Sequence, residues 1–346
     1  MDSNSARINE YLKRFDTLVT GLSQSYKVES ITQQVHVLHP KTKHGLGFGL
    51  SGAKDVALTI SALIHGVEIG GLAVLVELLE LVTRGQLRLE VPLGISLGNV
   101  PAAHQAVRFI ERDLNRSFGR VHAVMAEERR ADELEKLFTR TEYLLDIHQV
   151  KLQIDRPFWI FPYTKKGYQF ARVVAPDVSV ITHWGRGFSD DGQCSDEWVN
   201  RQGGAGVTIE LGQNGLVAEQ IRRGIDVCLG AIAYVSARSS GQPLPTNKLK
   251  SVAPLYTWGE IIPYPPTGKP VLHPGWHNFK TVKAGDAVGT FNGADIKASV
   301  TGPVLFPKYP DLLPDGTYGD TPPAAELIRV LREISESELP TGQLKP

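Results

Sequence analysis

Two histidines and three acidic residues stand where apolar runs end in this chain. His65-Gly66-Val67-Glu68 follows Val56 to Ile64, Asp146-Ile147-His148 closes Leu144-Leu145, and Glu210 lies inside Val207-Thr208-Ile209-Glu210-Leu211-Gly212. Two histidines and a carboxylate are a ligand set that leaves one position on a hydrolytic zinc for water. A further carboxylate outside that set is what such chemistry needs as a proton shuttle. Order and setting together point to metal-dependent amide hydrolysis.

Each piece has a plainer reading beside it. A His-x-x-Glu spacing puts His65 and Glu68 on one side of a tight turn, where both can reach one ion. It also fits a solvated His before a Glu stabilised by a helix N-terminus. A period of two puts Asp146 and His148 on the same side of a strand, with His148 a third ligand and Asp146 a neighbour of undefined contact. The alternative is a satisfied His at a strand end. Glu210 is costly to bury in so apolar a run unless paired, bound or functional. Gly212 would leave the mouth of the site open to backbone approach. In Asp113-Leu-Asn115-Arg116 an amide and a guanidinium are suited to gripping a carboxylate, and Arg108 upstream to steadying an oxyanion. Against these stands a solvated charged loop.

The surrounding pattern is that of an α/β protein. Residues 1–27 form a polar, helical lead-in. Strands are expected over Val56 to Ile64, Leu87 to Leu97, Glu142 to Ile147, Phe158 to Pro162, Val178 to Thr182 and Val207 to Leu211. Helices are expected over Glu68 to Thr83, Ala126 to Thr139 and Leu216 to Arg238, with a helical turn at Val107 to Glu111. The composition changes after Ser239, where Ser-Ser-Gly-Gln-Pro-Leu-Pro-Thr reads as a linker. A Pro- and Gly-rich segment of β-formers follows, with turns at Lys283 to Asp286 and Asn292-Gly293, and a closing helix is expected over Ala324 to Ser335. The expectation is a catalytic α/β domain over residues 1–240. A β-rich domain over 241–346 would cover the active site.

Lys+Arg and Asp+Glu balance at 37 each, which argues against a generally basic nucleic-acid binder. No apolar run reaches the length of a membrane span, and residues 1–27 lack a signal-peptide core. Cys194 and Cys228 are the only cysteines, too few for a disulfide scaffold. The cytoplasm is the expected location. A single bridge between the two cysteines and self-association of the chain are left open.

In order, these motifs resemble the succinylglutamate desuccinylase and aspartoacylase family of zinc enzymes, relatives of the metallocarboxypeptidases. The family pattern H-G-x-E, R…D-L-N-R-x-F, D-x-H and x-E-x-G is matched by His65 to Glu68, Arg108 with Asp113 to Phe118, Asp146 to His148, and Ile209 to Gly212. The resemblance covers residues 55 to 235 and, more loosely, the C-terminal part. It implies a mixed central sheet flanked by helices, with a smaller β-rich domain. One zinc per chain would be held by His65, Glu68 and His148. Arg108 would polarise the scissile carbonyl, Asn115 and Arg116 would bind a substrate carboxylate, and Glu210 would act as base and then acid. The implied partner is a small N-acyl amino acid, cleaved at its linear amide bond. Val67 replaces the Asn common in the first motif, and Gly119-Arg120 replaces a Pro-Gly after the Phe. Both departures bear on substrate more than on metal.

Other residues weigh less. In His273-Pro-Gly-Trp-His277 the Pro and Gly argue against a helix, so a turn is expected there. His183-Trp184 could edge the pocket. Arg201 is either a second carboxylate contact or a surface residue. Tyr256, Tyr264, Tyr309 and Tyr318 are open as contributions from the C-terminal part. A metallocarboxypeptidase acting on a peptide or peptidoglycan fragment is the rival activity. A catalytically silent binding protein on the same fold is the non-enzymatic alternative, disfavoured because Glu210 and all three ligands are present.

Overall fold

The computed structural model describes residues 3–41, 54–152, 154, 156–189, 192–245, 252–265, 270–309 and 326–341. Helix α1 (Ser3–Leu22) leads into a hairpin of β1 (Tyr26–Thr32) and β2 (Val35–Pro40). Then come β3 (Val56–Ala62), α2 (Ile69–Thr83), β4 (Leu93–Leu97), the short α3 (Val100–His104), α4 (Ala126–Phe138) and β5 (Thr141–Val150). They are followed by β6 (Phe158–Pro162), α5 (Lys165–Val174), β7 (Ser179–His183), α6 (Ser195–Arg201), β8 (Ala205–Gln213) and α7 (Ala218–Ser240). The remainder is β9 (Leu255–Pro263), β10 (Val271–Leu272), β11 (Thr281–Val282), β12 (Ala287–Phe291), β13 (Ala294–Lys297), β14 (Gly302–Leu305) and β15 (Glu326–Glu333).

One mixed sheet of twelve strands dominates, in the order β1-β2-β4-β3-β5-β8-β6-β7-β9-β15-β14-β11. Strands β4, β3, β5 and β8 are mutually parallel, so their carboxyl ends share one edge. That is where open α/β sheets place their ligands. Every residue of β3 is buried, because helices cover both faces of the sheet centre. Adjacent residues of β5 serve opposite layers. Leu145 belongs to the apolar cluster that contains α1, α2, α5 and α7, while Leu144 belongs to the one that contains α4 and Val199 of α6. Asp146 and His148 share the Leu144 side, as the period of two requires.

After α7 the chain returns to this sheet. Strand β9 pairs parallel to β7, and β15, β14 and β11 extend the same edge. Strands β10, β12 and β13 form a separate three-stranded sheet. Asn292 (φ 49°) and Gly293 (φ 78°) turn the β12–β13 hairpin, the left-handed pair that a two-residue hairpin demands. The Lys283 to Asp286 turn also forms, closed by Asp286 N–H to the Lys283 carbonyl at 3.0 Å.

Three elements differ from expectation. The closing helix is instead β15. Leu327, Ile328, Val330 and Leu331 have helical spacing, yet all four are buried because both faces of this strand are covered. A strand apolar on both faces loses its alternation and cannot be told from a helix by period. The strand expected over Leu87 to Leu97 is confined to β4, with Leu89 N–H donating to the Tyr26 hydroxyl instead of a neighbouring strand. No helical turn forms at Val107 to Glu111; the amides of Ile110, Glu111 and Arg112 all donate to the Glu127 carboxylate, which holds the segment as a loop. Helices α5 and α6 were not anticipated. None of the described helices is long and apolar enough to cross a membrane.

Candidate active site

The turn after β3 delivers the first two polar groups. Leu63 adopts a left-handed conformation (φ 62°), which costs about 1–2 kcal/mol for a residue with a Cβ. That kink swings His65 and Glu68 over the sheet edge. Gly66 is required by close approach: a Cβ there would lie 2.4 Å from the backbone of Ala102 and Ala103 and 2.6 Å from the Val107 carbonyl. Its N–H donates to the Arg108 carbonyl at 3.0 Å, locking the His-Gly turn to the Arg108 loop.

Glu68 sits between the two histidines. His65 Nδ1 is 2.7 Å from Oε1, and His148 Nδ1 is 2.9 Å from Oε2. All three residues are buried, and their ligand atoms lie within 4.8 Å of one another. The outer nitrogens are held by aspartates: His65 Nε2 faces Asp113 Oδ1 and His148 Nε2 faces Asp146 Oδ2, each at 3.0 Å. An imidazole that donates from Nε2 carries a lone pair on Nδ1. Two such lone pairs then face a buried carboxylate, which requires a cation or protons between them. The donor set suits zinc. Burial opposes charging His148, but Asp146 and Glu68 override it and hold its pKa well above the usual value. Burial would likewise raise Glu68, and the two histidines reverse it, keeping the group ionised.

Helix α6 braces this centre from behind. Cys194 and Glu197 close a capping box at its start. The Ser195 hydroxyl donates to Asp146 Oδ2, and Ser195 N–H donates to Asn115 Oδ1 at 2.9 Å. With its oxygen engaged, Asn115 has its Nδ2 donor without a hydrogen-bond partner among the described residues. Arg116 Nη1 contacts Cys194 Sγ at 3.2 Å and the Asn115 carbonyl, and its guanidinium lies 5.1 Å from the centre of the Phe188 ring. Arg108 is half exposed. Its Nη2 approaches Asp113 Oδ2 at 3.2 Å and His65 Nε2 at 2.7 Å, and its Nη1 is 3.4 Å from Glu68. The Nε2 atom can serve only one partner; Asp113 is the one compatible with Nδ1 as a ligand.

Glu210 is buried on β8, in register with His148 on β5. Its Oε2 has no hydrogen-bond partner among the described residues. Burial pushes its pKa up to about 8, against the opposing pull of His148. A carboxyl poised near neutrality can both accept and return a proton. At Gly212 a Cβ would lie 2.2 Å from the end of the Gln220 side chain.

The structure therefore brings His65, Glu68, His148 and Arg108 into direct contact and sets Glu210 opposite His148. It joins Asn115 and Arg116 to the same centre through Ser195 and Asp113. His183 is buried and stacks on Trp258 at 5.4 Å, beside Phe188, whereas Trp184 packs into the main core. Arg201 is exposed at the end of α6. The Tyr309 hydroxyl is engaged by the His273 carbonyl and Trp276 N–H, and Tyr256 and Tyr264 pack in apolar clusters. Tyr318 lies outside the described residues. His273 and His277 make local contacts to backbone carbonyls in a loop, and both cysteines are free and buried. Asp113, Ser195, Cys194 and Phe188 had been given no role. Asp196 and Glu197 in its first turn and Arg201 in its last were the sequence signs of α6.

The family model for the succinylglutamate desuccinylase/aspartoacylase catalytic domain matches residues 54–229. The chain belongs to this family. Succinylglutamate desuccinylase of Yersinia enterocolitica is 32% identical over 123 residues, 35% of this chain and 34% of that protein. The match thus spans about a third of the curated relative's length. In structure, succinylglutamate desuccinylase of Vibrio cholerae superposes with a TM-score of 0.65 at 18% identity, covering 87% of this chain and 86% of that one. Murine aminoacylase 3 gives 0.59 at 17% identity, covering 82% and 98%. At these identities the structural likeness establishes the shared fold, and every element of the desuccinylase/aspartoacylase motif set lies at the sheet edge just described.

Proposed function

We propose that this chain is a zinc-dependent hydrolase that cleaves the amide bond of a small N-acyl amino acid, with one zinc per chain and a cytoplasmic location. The observation that carries this reading is the meeting of His65 Nδ1, His148 Nδ1 and the Glu68 carboxylate beside Glu210 Oε2, which is unpartnered among the described residues. Those three residues would hold the metal. When bound, zinc supplies Lewis acidity for activating water and polarising a carbonyl.

The chain's own groups account for the rest. Glu210 takes a proton from the attacking water and returns it to the departing amine, a double task suited to a pKa near 8. Arg108 can turn from Asp113 to the scissile oxygen, because it is half exposed. The Nδ2 of Asn115 and the guanidinium of Arg116 hold the amino-acid carboxylate, whose negative charge the buried Arg116 lacks as an ion-pair partner among the described residues. Asp113, Asp146 and Ser195 orient the imidazoles. Residues 241–346 would close the pocket over residues 1–240, and Phe188 is the meeting point, stacked by both Arg116 and Arg329.

The test is metal analysis of the purified protein together with a hydrolysis screen over N-acyl amino acids and short peptides. Stoichiometric zinc and cleavage of acyl amino acids are expected. Cleavage of peptides alone would replace this reading by a carboxypeptidase. Zinc binding with no turnover of either class would leave a binding protein.

A further inference from the structure

Gln149 follows His148 on β5 and, by the period of two, points to the opposite face of the sheet, where it is 1% exposed. An amide so buried is costly unless its polar atoms are engaged. Here they are. Oε1 accepts from the N–H of Gly70 at 2.9 Å and of Gly215 at 3.3 Å, and Nε2 donates to the carbonyls of Gln213 and Gly215, both at 3.0 Å. Backbone partners of both kinds fix which end of the carboxamide is which.

These contacts reach both halves of the site. Gly70 is the second residue of α2, and Glu68 is that helix's N-cap. An N-cap side chain ordinarily accepts from the N–H of the second or third helical residue. Among the described residues Glu68 makes no such bond, because its carboxylate is turned between His65 Nδ1 and His148 Nδ1. Gln149 supplies the acceptor from another strand, and its own N–H donates to Glu68 Oε2 at 3.2 Å. A carboxylate folded back onto its own helix could not face both histidines. Gly70 makes room for the exchange, since a Cβ there would lie 2.6 Å from Gln149 Nε2. The remaining contacts hold the turn after β8, just beyond Glu210. Gly215 has φ 126°, a conformation open to glycine and few other residues, so the turn's own chain does little to fix its path.

We propose that Gln149 is a positioning residue for the metal centre: its carboxamide caps α2 in place of Glu68, leaving the Glu68 carboxylate to the metal, and ties the turn behind Glu210 to the same helix. This rests on the zinc-hydrolase reading above. One side chain thereby sets the ligand and the proton carrier relative to each other.

Gln149→Met keeps the length of the side chain and removes its hydrogen bonds. In the metal-free protein, amide hydrogen exchange at Gly70 and Gly215 should quicken by about tenfold, the scale of one lost hydrogen bond. Zinc affinity, measured by competition with a chelator, should fall by about 10–100-fold, the usual range when a group that orients a metal ligand is lost. Leu78→Ala, a cavity in the core side of α2, is the control: it should lower Tm and leave zinc affinity unchanged. Gln149→Glu keeps an oxygen for Gly70 in either protonation state and should restore both the protection of Gly70 and most of the zinc affinity. Restored affinity with Gly70 still exchanging fast would reflect added charge alone and overturn the capping role. Gln149→Asn, one methylene too short to reach both partners, makes the same test should the methionine variant not fold. Zinc affinity lowered no more than in Leu78→Ala would overturn the proposal and leave the hydrolase reading intact. Absence of zinc binding by wild type would remove that reading, and this proposal with it.

Discussion

His148 and Glu210 are register partners on two neighbouring parallel strands, β5 and β8. The group that would bind metal and the group that would move the proton are thus fixed to one rigid sheet, not to separate loops. Their separation is set by strand spacing, so it survives motion of the loops around them. Beside this pair, Glu210 Oε2 is without a hydrogen-bond partner among the described residues, and His148 Nδ1 is turned to Glu68.

Glu210→Gln keeps shape and hydrogen bonding but cannot take a proton. Zinc content should be unchanged and kcat should fall by about two to four orders of magnitude, the usual range for general acid–base catalysis. KM should move far less. Near-normal kcat in this variant would place the proton shuttle elsewhere.

Removing a ligand should act on metal before fold. His148→Ala is expected to abolish stoichiometric zinc on dialysis and to end activity, while far-ultraviolet circular dichroism stays close to wild type, since the core of the sheet does not depend on the metal. Full zinc occupancy in His148→Ala would contradict the ligand set.

Arg116 is held by the Asn115 carbonyl, Cys194 and the face of Phe188. A lysine reproduces the charge but neither the planar fork nor the stacking. Arg116→Lys should raise KM by about tenfold with a smaller change in kcat. Unchanged steady-state parameters would take Arg116 out of the substrate contact.

Gly66→Ala forces a Cβ against the backbone of Ala102, Ala103 and Val107, atoms that cannot step aside singly. A loss of about 1–3 kcal/mol in denaturant unfolding is expected from such overpacking. Zinc titration should show weaker binding too, because His65 and Glu68 flank the strained turn. A variant with wild-type stability and wild-type zinc affinity would show that α3 yields more easily than its packing implies.

Stability in acid should depend on Arg140, which joins Glu29 of β1 to Asp55 just before β3. Its hydrogen bond brings the Glu29 pKa down from 4.5 to about 2, against the effect of burial. A carboxylate with a depressed folded-state pKa contributes stability above its unfolded value and loses it as pH falls through the folded one. The Tm gap between wild type and Arg140→Ala should therefore be widest above pH 5 and narrow between about pH 4.5 and 2. It should be modest, since Glu29 is partly exposed and solvent screens the pair. A gap constant across that window would mean that Arg140 acts through packing alone.

Local pattern was enough for much of this protein. The buried strands β3, β5 and β8 read as continuous apolar runs, and the polar residues interrupting them could be recognised because an unpaired charge in such a run is costly. That carried His65, Glu68, His148 and Glu210, and the period of two put Asp146 beside His148. The order of the motifs carried the family. What the chain order does not contain is which distant segments meet at the sheet edge. Asp113 reaching His65, Ser195 joining Asn115 to Asp146, and Arg329 meeting the Phe188 ring that Arg116 also covers are all contacts between residues whose own neighbours in sequence say nothing of them. The β15 segment shows the same limit in the fold itself. Its apolar spacing suits a helix until β9 and β14 are in place on either side, and only that pairing, a tertiary event, satisfies its backbone as a strand.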